Sequence, residues 1–190
     1  MKKREIKERK QFKIGRYVFS WVEEVILCTI VVVIIMTFLF KLVMISGVSM
    51  LPNFEDGDRV VISCINFSYE QGDVVVISGV LDDPIIKRVI ATEGQTVDID
   101  FENGVVYVDD EAIDENFFGI ENGITKETYT SLDLIEFPAT VPEGHVFVLG
   151  DNRTNSEDSR YVEVGMVDER KIIGKAVLRL FPLDRFGFLD

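Results

Sequence analysis

The chain has 190 residues, of which 47% are hydrophobic, and its formal net charge is −13 at neutral pH. This apolar content argues against extended disorder, and the length suits one domain of ordinary size. An acidic surface argues against nucleic acid as a partner, because phosphates repel it.

The charge is divided unevenly along the chain. Residues 1–22 carry eight Lys or Arg against two Glu, which leaves a net charge of −19 for the remainder. Basic residues next to a membrane segment mark its cytoplasmic side. We therefore expect 1–22 to be a cytoplasmic basic tail and the acidic part to be extracytoplasmic. A solvated tail is the simpler interpretation, and it is compatible with this topology.

A charge-free apolar run at residues 25–40 indicates a membrane segment. As a helix its 16 residues extend roughly 24 Å, which is shorter than a hydrocarbon core of about 30 Å. Adding Lys41 and residues 42–45 gives roughly 31 Å, provided that Lys41 extends its amine towards the lipid headgroups. We therefore predict a transmembrane anchor at residues 23–45, on the cell membrane and with a single pass.

A cleaved signal peptide is the alternative interpretation of this run. Residues 47–49 offer a small-x-small cleavage pattern. Against it, the apolar stretch is longer than that of a signal peptide, and its basic leader is also long. An uncleaved anchor is therefore favoured.

The remainder, residues 46–190, has the pattern of strands and turns. Runs rich in β-branched residues occur at 58–64, 73–78, 85–91, 96–99, 105–108, 145–149 and 172–180. The sequence Glu102-Asn103-Gly104 is a hairpin signal, and no long helical period follows the anchor. Residues 109–142 are polar and irregular, which predicts an insertion with a short hairpin or two. A mainly β domain behind one N-terminal transmembrane helix is expected.

Ser49 follows the apolar run closely, so a membrane anchor would hold it at the membrane surface. The single histidine, His145, would have to serve a Ser-His-Asp arrangement, but it opens an apolar strand, which favours a structural role.

Cys28 lies in the apolar run and Cys64 in the domain, so the two could hardly meet, which argues against a disulfide framework. No metal-ligand spacing and no phosphate-binding glycine loop occur, so we expect neither metal nor cofactor.

A lysine can replace histidine as a base when burial lowers its pKa. Lys87 lies inside the apolar run 85–90, and on a strand Lys87 and Arg88 point to opposite faces. An edge strand with two exposed cations remains an open alternative. Residues 150–160 supply three hydroxyls, two amides, three carboxylates and two arginines directly after an apolar run. They suit either a solvated loop or a hydrogen-bonded loop beside a site.

Together these segments resemble the bacterial type I signal peptidases, and the compact insertion is similar to that of the Gram-positive members. The four motifs that carry the resemblance are Ser49-Met50-Leu51-Pro52, Gly57-Asp58-Arg59-Val60, Lys87-Arg88-Val89-Ile90-Ala91 and residues 150–160. Each is weak alone, but their order behind an N-terminal anchor is specific. The resemblance implies a mainly β fold of the signal-peptidase/LexA-like kind.

The resemblance also implies an activity, that of a membrane-anchored serine endopeptidase which removes signal peptides from secreted preproteins after small residues of the A-x-A type. Ser49 would be the nucleophile and Lys87 the general base, and Ser156 would hydrogen-bond the Lys87 amine. The expected partners are preprotein signal peptides and membrane lipid, with no nucleic acid and with a monomer as the expected state.

Further roles follow from the same resemblance. Asp158 would pair with Arg160, and also with Arg88, to hold the shape of the site. Gly47 stands where members of the other bacterial type carry an oxyanion-binding hydroxyl, so the oxyanion hole would depend on backbone N–H groups, chiefly that of Ser49.

Shallow apolar pockets near the two catalytic residues are expected to bind the small side chains of the substrate. The expected pocket residues are Ile45, Val48, Met50 and Ile86. Asn53 departs from the Thr that is usual in the family, and altered local hydrogen bonding is expected there.

Two other classes of protein compete with this interpretation. A self-cleaving Ser-Lys repressor would have a related fold, but the anchor and the lack of a DNA-binding domain argue against it. A non-enzymatic anchored β-domain, or a catalytically silent relative, is the second. The presence of both Ser49 and Lys87 argues against the silent relative.

Overall fold

The computed structural model describes residues 2–65, 68–127, 129 and 131–189, and within the N-terminal helix it describes the side chains of residue 17 and of residues from 19 onward. The chain divides into two compact units, Met1–Leu39 and Phe40–Asp190. The first unit is one helix, α1, at Lys2–Leu39. Within it, the 21 residues Phe19–Leu39 are long and apolar enough to cross a membrane.

The helix α1 ends before the expected anchor of residues 23–45 does. The helix ends at Leu39, and Phe40–Met44 form strand β1, in which Lys41 pairs with Ile62. Hydrophobicity alone does not separate these residues from the membrane segment, because both stretches are apolar. The apolar span of the helix begins earlier than the expected anchor, at Phe19. Its 21 residues correspond to roughly 31 Å of helix.

The second unit is mainly β, as predicted. Its described residues form the strands β1 (Phe40–Met44), β2 (Arg59–Ser63), β3 (Val74–Ile77), β4 (Ile85–Thr92), β5 (Thr96–Asp100), β6 (Val105–Val108), β7 (Glu111–Ala112), β8 (Ala139–Thr140), β9 (His145–Leu149), β10 (Val167–Asp168), β11 (Ile172–Phe181) and β12 (Gly187–Phe188). Short 3-10 helices lie at Glu115–Phe118, Glu169–Lys171 and Leu183–Arg185. All seven strand runs predicted from the sequence are strands in the structure.

The strands form two antiparallel sheets. The larger has the order β1-β2-β11-β3-β4-β9-β10, with β12 paired to β11, and the smaller has the order β7-β6-β5-β8. Strand β3 is buried along its whole length, which explains its continuous apolar sequence. β3 and β4 lie side by side inside the larger sheet, and β9 pairs with β4 on its other side.

Residues 109–142, where an insertion or flap with a short hairpin or two is predicted, extend the smaller sheet. Asp109 and Asp110 turn with φ of 51° and 67° between β6 and β7, and β8 pairs with β5, so both short strands belong to that sheet. Between them lie the 3-10 helix Glu115–Phe118 and an irregular stretch, which has an isolated bridge between Leu134 and Tyr161.

Candidate active site

Two of the predicted site residues, Ser49 and Lys87, come together in the structure. Ser49 lies in the turn between β1 and β2, and Lys87 lies in β4. Lys87 Nζ is 2.9 Å from Ser49 Oγ, and it also donates to the backbone oxygen of Ile86 at 3.0 Å. A hydroxyl and an amine at this distance can exchange a proton directly.

Lys87 is buried, with 3% of its surface exposed. Burial lowers the pKa of the Lys87 amine from its ordinary value of 10.5, and this effect outweighs the opposing influence of the Asp158, Glu157 and Asp151 carboxylates. The cause is desolvation, which disfavours the charged ammonium. The alternative of an edge strand with two exposed cations is therefore wrong, because Arg88 is buried as well and β4 lies between β3 and β9 from Arg88 onward.

The loop 150–160 holds the turn that carries Ser49. The backbone N–H of Asn152 donates to Ser49 O at 2.9 Å, and Asn152 Nδ2 donates to Val48 O at 3.1 Å. At Gly150, a Cβ would lie 2.5 Å from Ser49 O and 2.2 Å from Ser156 Oγ. The loop and the turn therefore approach each other more closely than any side chain at position 150 would permit.

The turn that carries Ser49 is held by hydrogen bonds of the neighbouring residues. Gly47 has a φ of 90°, which favours glycine, and its N–H donates to Asp56 Oδ1 at 2.8 Å. Leu51 N donates to Val48 O at 3.2 Å. Within the part of the chain that the structure describes, the Ser49 N–H makes no hydrogen bond.

Asp158 pairs with Arg160, as expected. Arg160 Nε is 2.8 Å from Asp158 Oδ1, and both side chains are fully buried. Asp158 Oδ2 also accepts from Gly150 N at 3.0 Å, so the ion pair fixes the residue that touches the nucleophile turn. Each of these buried charges has a partner, and the loss of either one would leave the other buried and uncompensated.

Arg88 does not contact Asp158, and that expectation is corrected. Arg88 Nε and Nη2 bind Asp151 Oδ1 and Oδ2 at 2.8 and 2.6 Å. The reason is the period of the strand, which points Arg88 away from Lys87 and towards the other side of β4. Asp151 was missed as a site residue, although its place at the start of the 150–160 motif was a signal for it.

Ser156 is buried at 1% exposure, but the predicted hydrogen bond to Lys87 is not formed. Among the described residues, Ser156 Oγ has no hydrogen-bond partner. Its oxygen lies instead beside Gly150, where a Cβ would approach it to 2.2 Å.

A cavity of about 580 Å³ opens beside Ser49 and Lys87. Its walls come from residues 43–46 at the end of β1 and from residues 83–87 at the start of β4. Ile45 and Ile86 line it, as expected for pocket residues. Met50 is buried in the core and Val48 is exposed, and neither is among the residues that line this cavity.

Two strand edges border this cavity. Among the described strands, β1 pairs only with β2, and residues 85–87 of β4 pair only with β3, because the pairing with β9 begins at Arg88. Unpaired N–H and C=O groups at a strand edge can hydrogen-bond an extended peptide. The arrangement therefore offers backbone partners and apolar walls to a peptide beside Ser49.

The remaining candidates lie elsewhere. His145 is at the end of β9 opposite to Gly150, and its Nδ1 is 2.8 Å from Glu143 O, which agrees with a structural role. Cys28 and Cys64 are free thiols. Over the described ranges, no group of three or more His, Cys, Asp or Glu is arranged to hold a metal ion.

The chain is similar to known proteins along most of its length. The family model described as "Signal peptidase, peptidase S26" matches residues 18–181. A protein named "Probable signal peptidase I-1" from Synechocystis sp. is 37% identical over 153 residues, which cover 74% of this chain and 71% of that protein. Signal peptidase I of Bacillus amyloliquefaciens is 32% identical over 168 residues, which cover 86% of each chain. A crystal structure of a signal peptidase I from Enterococcus faecalis V583 matches 57% of this chain and 96% of that one, with 26% identity and a TM-score of 0.44. By its family match and its identity to these relatives, the chain belongs to the signal peptidase family, peptidase S26.

Proposed function

We propose that the chain is a membrane-anchored serine endopeptidase that removes N-terminal signal peptides from secreted preproteins, with Ser49 as nucleophile and Lys87 as general base. One observation carries the proposal: Lys87 Nζ is 2.9 Å from Ser49 Oγ, on a lysine that is only 3% exposed. Family membership and the relatives named signal peptidase I support the same reaction.

Acylation needs the neutral form of Lys87, which burial favours by lowering the pKa of the amine. The amine accepts the Ser49 hydroxyl proton while Oγ attacks the scissile carbonyl carbon. The ammonium then gives this proton to the leaving nitrogen, the C–N bond breaks, and an ester remains on Ser49. In the second half, the amine takes a proton from water as that water attacks the ester. The ester C–O bond then breaks, and the ammonium returns the proton to Ser49 Oγ, which restores the hydroxyl and the neutral amine. Such Ser-Lys pairs are a recorded variant of the catalytic triad.

The negative charge of the tetrahedral intermediate needs hydrogen-bond donors. Gly47 supplies no side-chain hydroxyl, so the backbone N–H of Ser49 is the principal donor in this proposal. The support is that this N–H has no other acceptor among the described residues and that two hydrogen bonds from Asn152 hold its turn.

The substrate would bind as an extended strand between the edges of β1 and β4. Ile45 and Ile86 offer shallow apolar walls, which suit the small residues before the cleavage site of an A-x-A signal peptide. In this arrangement backbone hydrogen bonds supply affinity, and the pocket walls select side-chain size.

The proposed topology places the N-terminus in the cytoplasm and the second unit outside, with a single membrane pass. Its support is the excess of Lys and Arg in residues 1–22 and the apolar span Phe19–Leu39. Ser49 follows the end of α1 by ten residues, and the preprotein is presented with its signal segment still in the bilayer.

The experiment uses the full chain in detergent micelles with a defined preprotein and a serine-acylating probe. We expect cleavage after the A-x-A site by N-terminal sequencing, and a probe label on Ser49 by mass spectrometry. Ser49→Ala should show neither result, whereas Ser131→Ala, which changes an exposed serine, should behave as wild type. A label on another residue, or cleavage that survives Ser49→Ala, would overturn the assignment.

A pH–rate profile gives a separate prediction for Lys87. The reaction needs the neutral amine, and burial lowers the pKa of Lys87, so kcat/KM and the probe acylation rate should fall as pH drops through that lowered pKa. Above it, both rates should level off at a pH below the ordinary lysine value of 10.5. Undiminished acylation at acidic pH would contradict a lysine base.

A further inference from the structure

We propose that the 3-10 helix Glu115–Phe118 of the insertion is a positioning element for the active site, and that Asn53 and Glu115 are the two positioning residues through which it acts. The inference rests on the proposed function and assigns a role to the insertion at residues 109–142. Neither residue lines the cavity beside Ser49.

The first contact is made by Asn53, four residues after Ser49. Asn53 Nδ2 donates to Phe118 O at 2.8 Å and to Asp151 Oδ2 at 2.8 Å. Asp151 is in turn held by Arg88, which neighbours Lys87 in β4. One amide group therefore ties the insertion to the segments that carry both members of the proposed dyad.

The chemistry of this contact explains why Asn stands where the resembled family usually has Thr. A carboxamide NH₂ has two hydrogens to donate, whereas a threonine hydroxyl has one. Only the former can satisfy Phe118 O and Asp151 Oδ2 together. The fit is close on the other side as well, since a Cβ at Gly119 would lie 3.0 Å from Asn53 Oδ1.

The second contact starts from Glu115 in the same helix. Glu115 is 1% exposed and forms an ion pair with Arg153, which is itself fully buried. Arg153 Nε donates to Gly150 O at 3.0 Å, and Gly150 is the residue that abuts Ser49 O. The carboxylate from the insertion thus compensates the buried guanidinium that holds the loop against the nucleophile turn.

Both contacts therefore start from the same short helix. One reaches Asn53 and Asp151, and the other reaches Gly150 through Arg153. The ring of Phe118 also lies under the Arg88 guanidinium, 5.2 Å from it, while the neighbouring Phe117 is 86% exposed. A segment that only covered the surface would need neither a buried carboxylate nor an amide that donates two hydrogen bonds. A rigid support for loops that must hold a reacting geometry does need them.

The test compares Asn53→Thr and Glu115→Gln with the exposed changes Glu111→Gln and Glu121→Gln, which lie in the same insertion but outside the 3-10 helix. We expect each of the first two to lower kcat about tenfold and to leave KM within about twofold, since the cavity walls are untouched. The controls should match wild type. Assays run below the unfolding midpoint of each variant, measured in parallel.

A second readout does not depend on activity. The Asn152 N–H donates to Ser49 O, so its hydrogen exchange reports whether the loop and the turn remain in contact. Exchange should become about tenfold faster in Asn53→Thr and Glu115→Gln and stay unchanged in the controls. If wild type lacks Ser49-dependent cleavage, the proposed function fails, but this measurement still decides the positioning role.

Three results would overturn the inference. One is a lowered unfolding midpoint with unchanged kcat and unchanged Asn152 exchange, which would make both contacts merely stabilising. Another is a raised KM at constant kcat, which would assign the insertion to substrate binding. The third is an equal loss in the control variants.

Discussion

Replacing Ser49 by Ala or Lys87 by Met is expected to lower kcat/KM for a defined preprotein by about 10³-fold or more. Ser49→Ala removes one oxygen, and Lys87→Met keeps a long side chain of similar volume but removes the amine. Because the two groups act as one unit, the double variant should fall no further than either single variant. Single-turnover cleavage of the preprotein measures all three.

The folding stability of Lys87→Met should be retained or increased, in contrast to its activity. In wild type the lowered pKa of Lys87 means that folding disfavours the protonated amine. The unfolded state then binds more protons, so wild-type stability rises with pH between the lowered pKa and the ordinary value of 10.5. The advantage of Lys87→Met in free energy of unfolding should therefore be largest at low pH and should shrink as pH rises.

The matched control for this change is Lys171→Met. Lys171 is exposed at the end of the 3-10 helix Glu169–Lys171, so the same loss of an amine should leave kcat/KM unchanged. Substantial turnover by Lys87→Met would remove the lysine base from the mechanism. A strongly destabilised Lys87→Met, with a midpoint below the assay temperature, would contradict the reasoning about its burial.

Much of the catalytic unit could be predicted from the sequence, because strands leave a local signal. The run 85–91 is β-branched and bounded by turn residues, and the period of two correctly separates Lys87 from Arg88 onto opposite faces. The contact between Ser49 and Lys87 was an implication of the family resemblance. It spans 38 positions of the chain, and no local pattern could have supplied it.

The features that were missed depend on strand order and on turns. Arg88 binds Asp151 because β9, which leads into the 150–160 loop, is placed beside β4. The sequence of a single strand does not specify which strands lie next to it. The boundary at Leu39 was missed because strand β1 is as apolar as the helix before it. The position of Ser156 Oγ depends on the close approach at Gly150, which only the folded backbone reveals.

That close approach leads to the second large expected effect, from Gly150→Ala. A Cβ at position 150 would lie 2.5 Å from Ser49 O, a distance that real Cβ atoms do not show. Because Ser49 O is a backbone atom, it can retreat only by moving the residue that carries the nucleophilic Oγ. A displacement of about 1 Å in a reacting group costs on the order of 10²-fold in rate. We therefore expect kcat to fall about 10²-fold.

The Ser156→Ala change should not rescue Gly150→Ala. It removes the Ser156 Oγ that the new methyl would meet at 2.2 Å, but Ser156 Cβ remains at 2.5 Å and the contact with Ser49 O is unaltered.

Gly187→Ala is the matched control, because a Cβ there meets no described atom within 4 Å and the change should leave kcat as it is. Preprotein cleavage and the exchange rate of the Asn152 amide should change together in Gly150→Ala, since both depend on the distance between the loop and the nucleophile turn. Wild-type kcat in Gly150→Ala would mean that the loop can yield without moving Ser49, and the close packing at Gly150 would then not set the geometry of the site.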